Sequence, residues 1–340
     1  MRAALMQEGR IWVENVPDPI PGPGEVLVKS IACGICGSDL HAAQHTHDFV
    51  KTSREAGGAF KLTTFEPVVL GHEFCAEILE FGPETKGKLP VGSLVCSVPV
   101  VLRQPMIPVG YSDQFPGGFG ERMVLSESML LPVPQGTPAT AAALTEPMAV
   151  GFHAVKKARI EAGDAALVIG CGPVGLTVIT ALRSEGVRPV IAVDYSPERR
   201  RLAALQGADL VLDPATEDPW LQADLRRPQN VVIFECVGIP GMLDQIFLKA
   251  PQNARIIVVG VCLQTDNIRP LIGINKELSV QFVLGYSVPE FVESLTRIAD
   301  GRFDVGRLVS STVGLDGVAG AFDTLRKPTH HAKIMVEGWR

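Results

Sequence analysis

The stretch from Ala165 to Leu182, "AALVIGCGPVGLTVITAL", constrains the fold more than any other. It carries no charge over a length close to that of a membrane span. Three glycines and a proline nevertheless interrupt its middle, so it divides into a buried strand, a tight turn and a buried helix. The glycines at 170, 172 and 175 match G-x-G-x-x-G, a weak signal in isolation. Context strengthens it: a strand precedes it, a helix follows, and a second apolar run ends in an acid, Asp194, about 20 residues on.

Each part of this motif has a physical task. Gly170 permits the tight turn, Gly172 lets the backbone approach a pyrophosphate, and Gly175 lets the helix pack closely on the strand. Pro173 suits a first helical turn, where its missing N–H costs nothing, and Val174 follows it. The helix N-terminus then presents free N–H groups to phosphates. Asp194 is expected to accept hydrogen bonds from the adenosine ribose, and its charge to repel a 2′-phosphate, which favours NAD over NADP. Arg199, Arg200 and Arg201 follow closely and read as the solvated face of the next helix. Arg199 is also carried in the cofactor-facing set, with Val237 and Val259 near the ends of the next two strands.

This segment sits in a region, 148–285, where short apolar runs alternate with helical stretches. "PVIAVD", "NVVIFECVG" and "ARIIVVGV" lack period-two alternation, the pattern of strands covered on both faces. The expectation is a doubly wound parallel sheet with helices on both sides. Residues 1–147 differ: they are rich in Gly and Pro, with short β-branched runs such as "GEVLVKSI" and "FCAEILEFG", as in an irregular β-rich domain. Residues 286–340 open with a helix, "PEFVESLTRIADG", and close on a terminal strand, "HAKIMVEG". The fold class is therefore α/β. A net charge of −6 argues against a nucleic-acid or anionic-membrane surface. Seven scattered cysteines argue against a disulfide scaffold and for a reducing, cytoplasmic compartment.

The second informative stretch is "SIACGICGSDLH", Ser30 to His41. Its CxxC suits a redox pair, half a zinc knuckle, or an accident around one useful thiol. "LGHEF" supplies His72 and Glu73, and "LTEPMAVGFHAV" supplies Glu146. A catalytic zinc needs three protein ligands and one open position; Cys36, His72 and one carboxylate make such a set.

"GICGSDLH", "GHEF", "PGGFGER", "EPMAVGFHAV", "GCGPVG" and "GAD" occur in the order seen in zinc-dependent medium-chain alcohol and polyol dehydrogenases. The chain resembles that family over essentially its whole length, most closely the sorbitol and butanediol type. The resemblance implies a GroES-like catalytic domain (1–147), a Rossmann domain (148–285) and a C-terminal return to the first domain (286–340). It implies that Cys36 and His72 bind zinc, with Glu146 as third ligand in its "EP" context and Glu73 as a direct ligand or close alternate. Asp39 is implied to orient His72 from behind, Ser38 to hydrogen-bond the substrate oxygen, and His41 to pass the proton to solvent. Lys333 is either directed at the cofactor or a surface cation. Cys33 is read as a small buried residue. The implied activity is reversible oxidation of an alcohol, diol or polyol with NAD, in a homodimer or homotetramer.

Two departures from the family stand out. The four closely spaced cysteines of a structural zinc site are missing between "GHE" and "GGF", where only Cys75 and Cys96 occur and "VVLRQPMIPVGYSDQF" has none, so one zinc per chain is expected. The spacer between Cys36 and His72 is long, and its polar 42–65 stretch reads as a loop able to form a lid or narrow the substrate channel, with His45 and His47 at its surface. Two competing readings are a zinc-free reductase of the same fold, using NADPH on quinones or enoyl groups, and a non-catalytic NAD-binding redox sensor. The first lacks the Cys and His ligands retained here. The second has no need of Ser38 and His41 as a proton exit.

Overall fold

The computed structural model describes residues 1–57, 60–222, 225, 231–327 and 331–340. The chain forms two compact units. One comprises Met1–Glu146, Leu295–Asp300 and Val309–Arg340; the other comprises Pro147–Ser294 and Gly301–Leu308.

The first unit is built around the strand Glu25–Gly34, whose apolar residues are buried along nearly its whole length. Burial on both faces requires neighbours on both edges. Glu73–Phe81 pairs antiparallel along one edge. Arg122–Ser126 pairs with its first half and Lys333–Val336 with its last two residues. Lys333–Val336 continues in parallel to Val309–Val313. Residue 34 is thus flanked by Glu73 on one side and Met335 on the other. That convergence demands a glycine: a Cβ on Gly34 would stand 2.2 Å from Glu73 Oε2. A separate three-stranded sheet, ordered Arg10–Asn15, Arg2–Gln7, Val68–Val69, leads the chain towards His72.

The 42–65 stretch corrects the loop expectation. It contains the end of one helix, Gly37–Gln44, and a second helix, Thr46–Glu55. Thr46, Phe49 and Val50 are buried in the second. Their i, i+3, i+4 spacing is helical, but two large apolar residues among ten make the signal faint. Gly58 and Ala59 of this stretch lie outside the described residues.

The second unit is the α/β layer structure expected from strand–helix alternation. Its six parallel strands run in the order Leu210–Leu212, Val190–Val193, Ala165–Ile169, Val231–Glu235, Arg255–Val258, Ser279–Phe282. Numbered along the chain this is 3-2-1-4-5-6, the doubly wound dinucleotide-binding topology. Leu167, Ile191, Ile233 and Ile256 share one core cluster with Ile246 and Phe247 of the helix Met242–Lys249; each such aliphatic side chain buried contributes about 1.5–3 kcal/mol. The strand order reverses between Ala165–Ile169 and Val231–Glu235, so a ligand crevice opens at their carboxyl ends. Among the described residues, no helix is long and apolar enough to cross a membrane.

Candidate active site

The turn after Ala165–Ile169 brings the G-x-G-x-x-G residues together. Gly170 has φ of 91°, Gly172 caps the helix Pro173–Ser184, and Pro173 occupies its first turn. A Cβ on Gly175 would lie 1.8 Å from Gly170 O, so the third glycine sets how closely helix and turn approach. Val174 O accepts from Thr177 Oγ1. Asp194 follows Val190–Val193 and is fixed by two backbone donors: Cys171 N to Oδ2 and Ser196 N to Oδ1, each 2.8 Å.

The three arginines have different fates. Arg200 braces the carbonyls of Asp194 and Tyr195, and pairs with Asp213. Arg201 pairs with Glu198 at the surface. Arg199 alone turns to the motif: Nη1 is 3.9 Å from Asp194 Oδ2 and 4.0 Å from the position of a Cβ on Gly172, and its buried Nε has no hydrogen-bond partner among the described residues.

Sequence reasoning missed Glu235, at the end of Val231–Glu235. Its Oε1 accepts from Val237 N at 2.7 Å and Gly238 N at 2.8 Å, and its carbonyl accepts from Val259 N. One buried carboxylic residue thereby organises both turns that carry Val237 and Val259. Burial raises its pKa above the ordinary carboxylate value despite the two N–H donors.

In the first unit, Cys36 precedes the helix Gly37–Gln44 and donates its N–H to Asp39 Oδ2 at 2.9 Å. Ser38 and His41 lie three residues apart on that helix, hence on one face. One ligand atom each from Cys36, His72 and Glu73 lies within 4.8 Å of the others. Glu146 is buried and close enough to Lys333 to act on its charge, but is not one of that trio. Cys33 has no exposed surface and its thiol is aimed at Gly34 O, so only the second cysteine of the CxxC joins the cluster.

Asp39 is the hub of the site. It is inaccessible to solvent, and besides Cys36 N it meets His72 Nδ1 at 3.3 Å and Tyr111 Oη at 3.1 Å. The contact with His72 is ionic rather than a formed hydrogen bond, because Nδ1 lacks an aligned acceptor. Burial opposes protonation of His72, but the Asp39 carboxylate outweighs it and holds the pKa well above the usual histidine value. His41 moves the other way: burial depresses its pKa. A thiol, an imidazole and a carboxylate around one point are the donor set of a catalytic zinc; the residues fit that metal.

Lys333 is not a surface cation. It is buried, and its Nζ reaches Glu73 Oε1 at 2.7 Å, Oε2 at 2.6 Å and Ile35 O at 3.1 Å. Burial disfavours the ammonium, yet Glu73 keeps its pKa raised. The correction has a geometric cause, since pairing of the last strand with Glu25–Gly34 carries Lys333 inward.

Tyr111 was also missed. Its ring stands 5.0 Å from that of His72, 4.7 Å from Phe60 and 6.0 Å from Phe49, and its hydroxyl lies 2.7 Å from Ser38 Oγ. His45 and His47 are exposed; His47 contacts Glu8.

Known proteins resemble the chain along nearly its full length. The alcohol dehydrogenase GroES-like domain model matches residues 22–135, and the zinc-binding dehydrogenase model matches 173–300. The chain is 33% identical to (R,R)-butanediol dehydrogenase of Bacillus subtilis, over 99% of each chain. It is 27% identical to sorbitol dehydrogenase of Bos taurus, over 94% of this chain and 91% of the other. The crystal structure of 2R,3R-butanediol dehydrogenase from Bacillus subtilis superposes with a TM-score of 0.84 at 31% identity, covering 99% of both. The chain belongs to the zinc-type medium-chain alcohol and polyol dehydrogenases. It is an oxidoreductase of alcohols whose cofactors are zinc and a nicotinamide dinucleotide.

Proposed function

We propose that the protein reversibly oxidises a secondary alcohol, diol or polyol to the carbonyl compound with NAD. Cys36, His72 and Glu73 would hold the zinc, and Glu146 stands as the alternate third ligand. Bound there, zinc supplies a Lewis acid that polarises an alcohol or carbonyl oxygen, and NAD supplies the hydride acceptor. Ser38 accepts the hydrogen bond of the substrate hydroxyl, and His41, kept neutral by its depressed pKa, passes the proton to solvent. Asp39 fixes the site from behind by holding Cys36 N and flanking His72 and Tyr111. The buried Cys36–His72–Glu73 cluster beside Ser38 is the observation that carries this reading.

Asp194, anchored by two backbone N–H groups, supports NAD over NADP. The edge strand Ser279–Phe282 supports a homodimer or homotetramer, because among the described residues no strand pairs with its other edge and Phe282 is 70% exposed. Seven free thiols support a reducing, cytoplasmic setting. A screen of vicinal diols, polyols and simple secondary alcohols with NAD and NADP, read at the nicotinamide absorbance, tests the reading. Cys36→Ser should abolish both bound zinc and turnover. Full activity in metal-free Cys36→Ser protein refutes it.

A further inference from the structure

We propose that His41 and His45 form a second, exchangeable zinc site, separate from the Cys36–His72–Glu73 cluster, and that zinc held there stops turnover by occupying the proton exit. Zinc capture rests on the histidine pair alone; the inhibition rests on the dehydrogenase reading above.

The two histidines stand one helical turn apart. His45 N donates to His41 O at 2.8 Å, which closes the turn, and residues at i, i+4 share a helix face. The ring centroids are 6.4 Å apart, with the planes inclined by 33°. Two histidines at this spacing on one face are a recurrent zinc-binding arrangement, and imidazole nitrogen suits zinc. What acts on the His41 ring is burial and the neighbouring imidazole of His45, with no hydrogen bond to its nitrogens among the described residues. His47 is different, since its Nε2 is taken up by Glu8 at 3.1 Å.

The backbone under the pair is braced. Thr46 Oγ1 donates to Ala42 O at 2.7 Å, and Phe49 N donates to His45 O at 2.8 Å. Ala42 and Ala43 are buried on the opposite side. The turn at Gly9 packs on this end of the helix, where a Cβ on Gly9 would stand 3.0 Å from Ala43 O. His45 is exposed and His41 half-buried, so an ion from solvent meets one ligand first and the second one turn deeper. Chelation at Zn–N distances of about 2.0–2.1 Å draws the rings together, a rotation that the exposed His45 can make. Water fills the remaining positions, so the ion exchanges.

Inhibition follows from counting lone pairs. A neutral imidazole has one acceptor nitrogen. The proton leaving the substrate needs that nitrogen on His41, and so does the metal, so the two uses exclude each other. Burial keeps His41 in the neutral form that both require. Its place three residues after Ser38 on the same helix is what ties the pair to turnover; a histidine pair elsewhere on the surface would bind zinc without consequence.

The test titrates enzyme holding a single zinc per chain with zinc chloride. Turnover is followed at the nicotinamide absorbance and bound metal by equilibrium dialysis. The parent should take up a second zinc and lose turnover as it does so. In His45→Gln, basal turnover should be unchanged and the half-inhibitory zinc concentration should rise at least about tenfold, equivalent to about 1.4 kcal/mol. The second zinc should be lost on dialysis of that variant, and His47→Gln should behave as the parent. Retention of both the second zinc and the inhibition in His45→Gln overturns the proposal. So does a parent that binds a second zinc at full turnover, or protection by His47→Gln instead. Lack of turnover of any alcohol at one zinc per chain is a separate failure, that of the dehydrogenase reading; dialysis of parent and His45→Gln then still decides whether the pair binds metal.

Discussion

The Lys333 ammonium lies 2.7 Å from Oε1 and 2.6 Å from Oε2 of Glu73, and both side chains are shut off from solvent. Two charges at this depth have lost their water and depend on each other. Removing one partner leaves the other buried and unpaired, which costs about 3–5 kcal/mol, whereas replacing both with uncharged groups of similar size is far milder. Lys333→Met should therefore lower the free energy of unfolding by roughly that amount. The Glu73→Gln/Lys333→Met double variant should recover most of it. Urea denaturation of both checks this, and a double variant no more stable than the single one would show that the pair is not the source.

Asp194 sits at the carboxyl end of Val190–Val193 with both oxygens anchored, and Arg199 is the cation paired with its carboxylate. Asp194→Ser removes the charge that opposes a 2′-phosphate and leaves Arg199 to attract one. The ratio of kcat/KM for NADP over NAD should rise at least about tenfold, equivalent to about 1.4 kcal/mol. Steady-state kinetics with each cofactor measures it. An unchanged ratio would assign the discrimination elsewhere.

Glu235 gives a pH prediction whose sign follows from burial. Its folded pKa lies above the ordinary carboxylate value, so between the unfolded and folded pKa the native state binds more protons than the unfolded chain. Stability then falls as pH rises through that interval. Glu235→Gln can still accept the Val237 and Gly238 N–H bonds but cannot ionise. The variant should match the parent at pH 4 and below, about the unfolded pKa, and become the more stable of the two as pH rises towards neutrality. Thermal unfolding of both proteins across that range tests it, and a constant offset would contradict the linkage.

The second unit was largely legible because its signals are local. "GCGPVG", the apolar runs around it and Asp194 each carry their meaning within a few residues, and strand order follows from the topology such runs adopt. The first unit was legible only where a motif is dense, as in "GICGSDLH" and "GHEF". The burial of Lys333 depends on the pairing of its strand with Glu25–Gly34, which sets Nζ against Ile35 O 298 positions away, and no local pattern encodes that. Tyr111 stands in "VVLRQPMIPVGYSDQF", a stretch with no motif to mark it. Its relevance depends on three-dimensional proximity to Ser38 and Asp39, together with a helix whose apolar face has only Phe49 and Val50 to announce it.

The pairing of Lys333–Val336 with Glu25–Gly34 also sets an order of events during synthesis. At about 5–20 residues per second, the 260 residues separating Glu73 from Lys333 take roughly 13–50 s to translate. Through that interval the nascent chain already holds Cys36, His72 and Glu73, while the central sheet of the first unit still lacks its last two strands. The metal-capable trio is therefore complete in sequence well before the cation that neutralises its carboxylate. A ribosome stalled short of Lys333 displays every proposed zinc ligand on a sheet that cannot yet close around them.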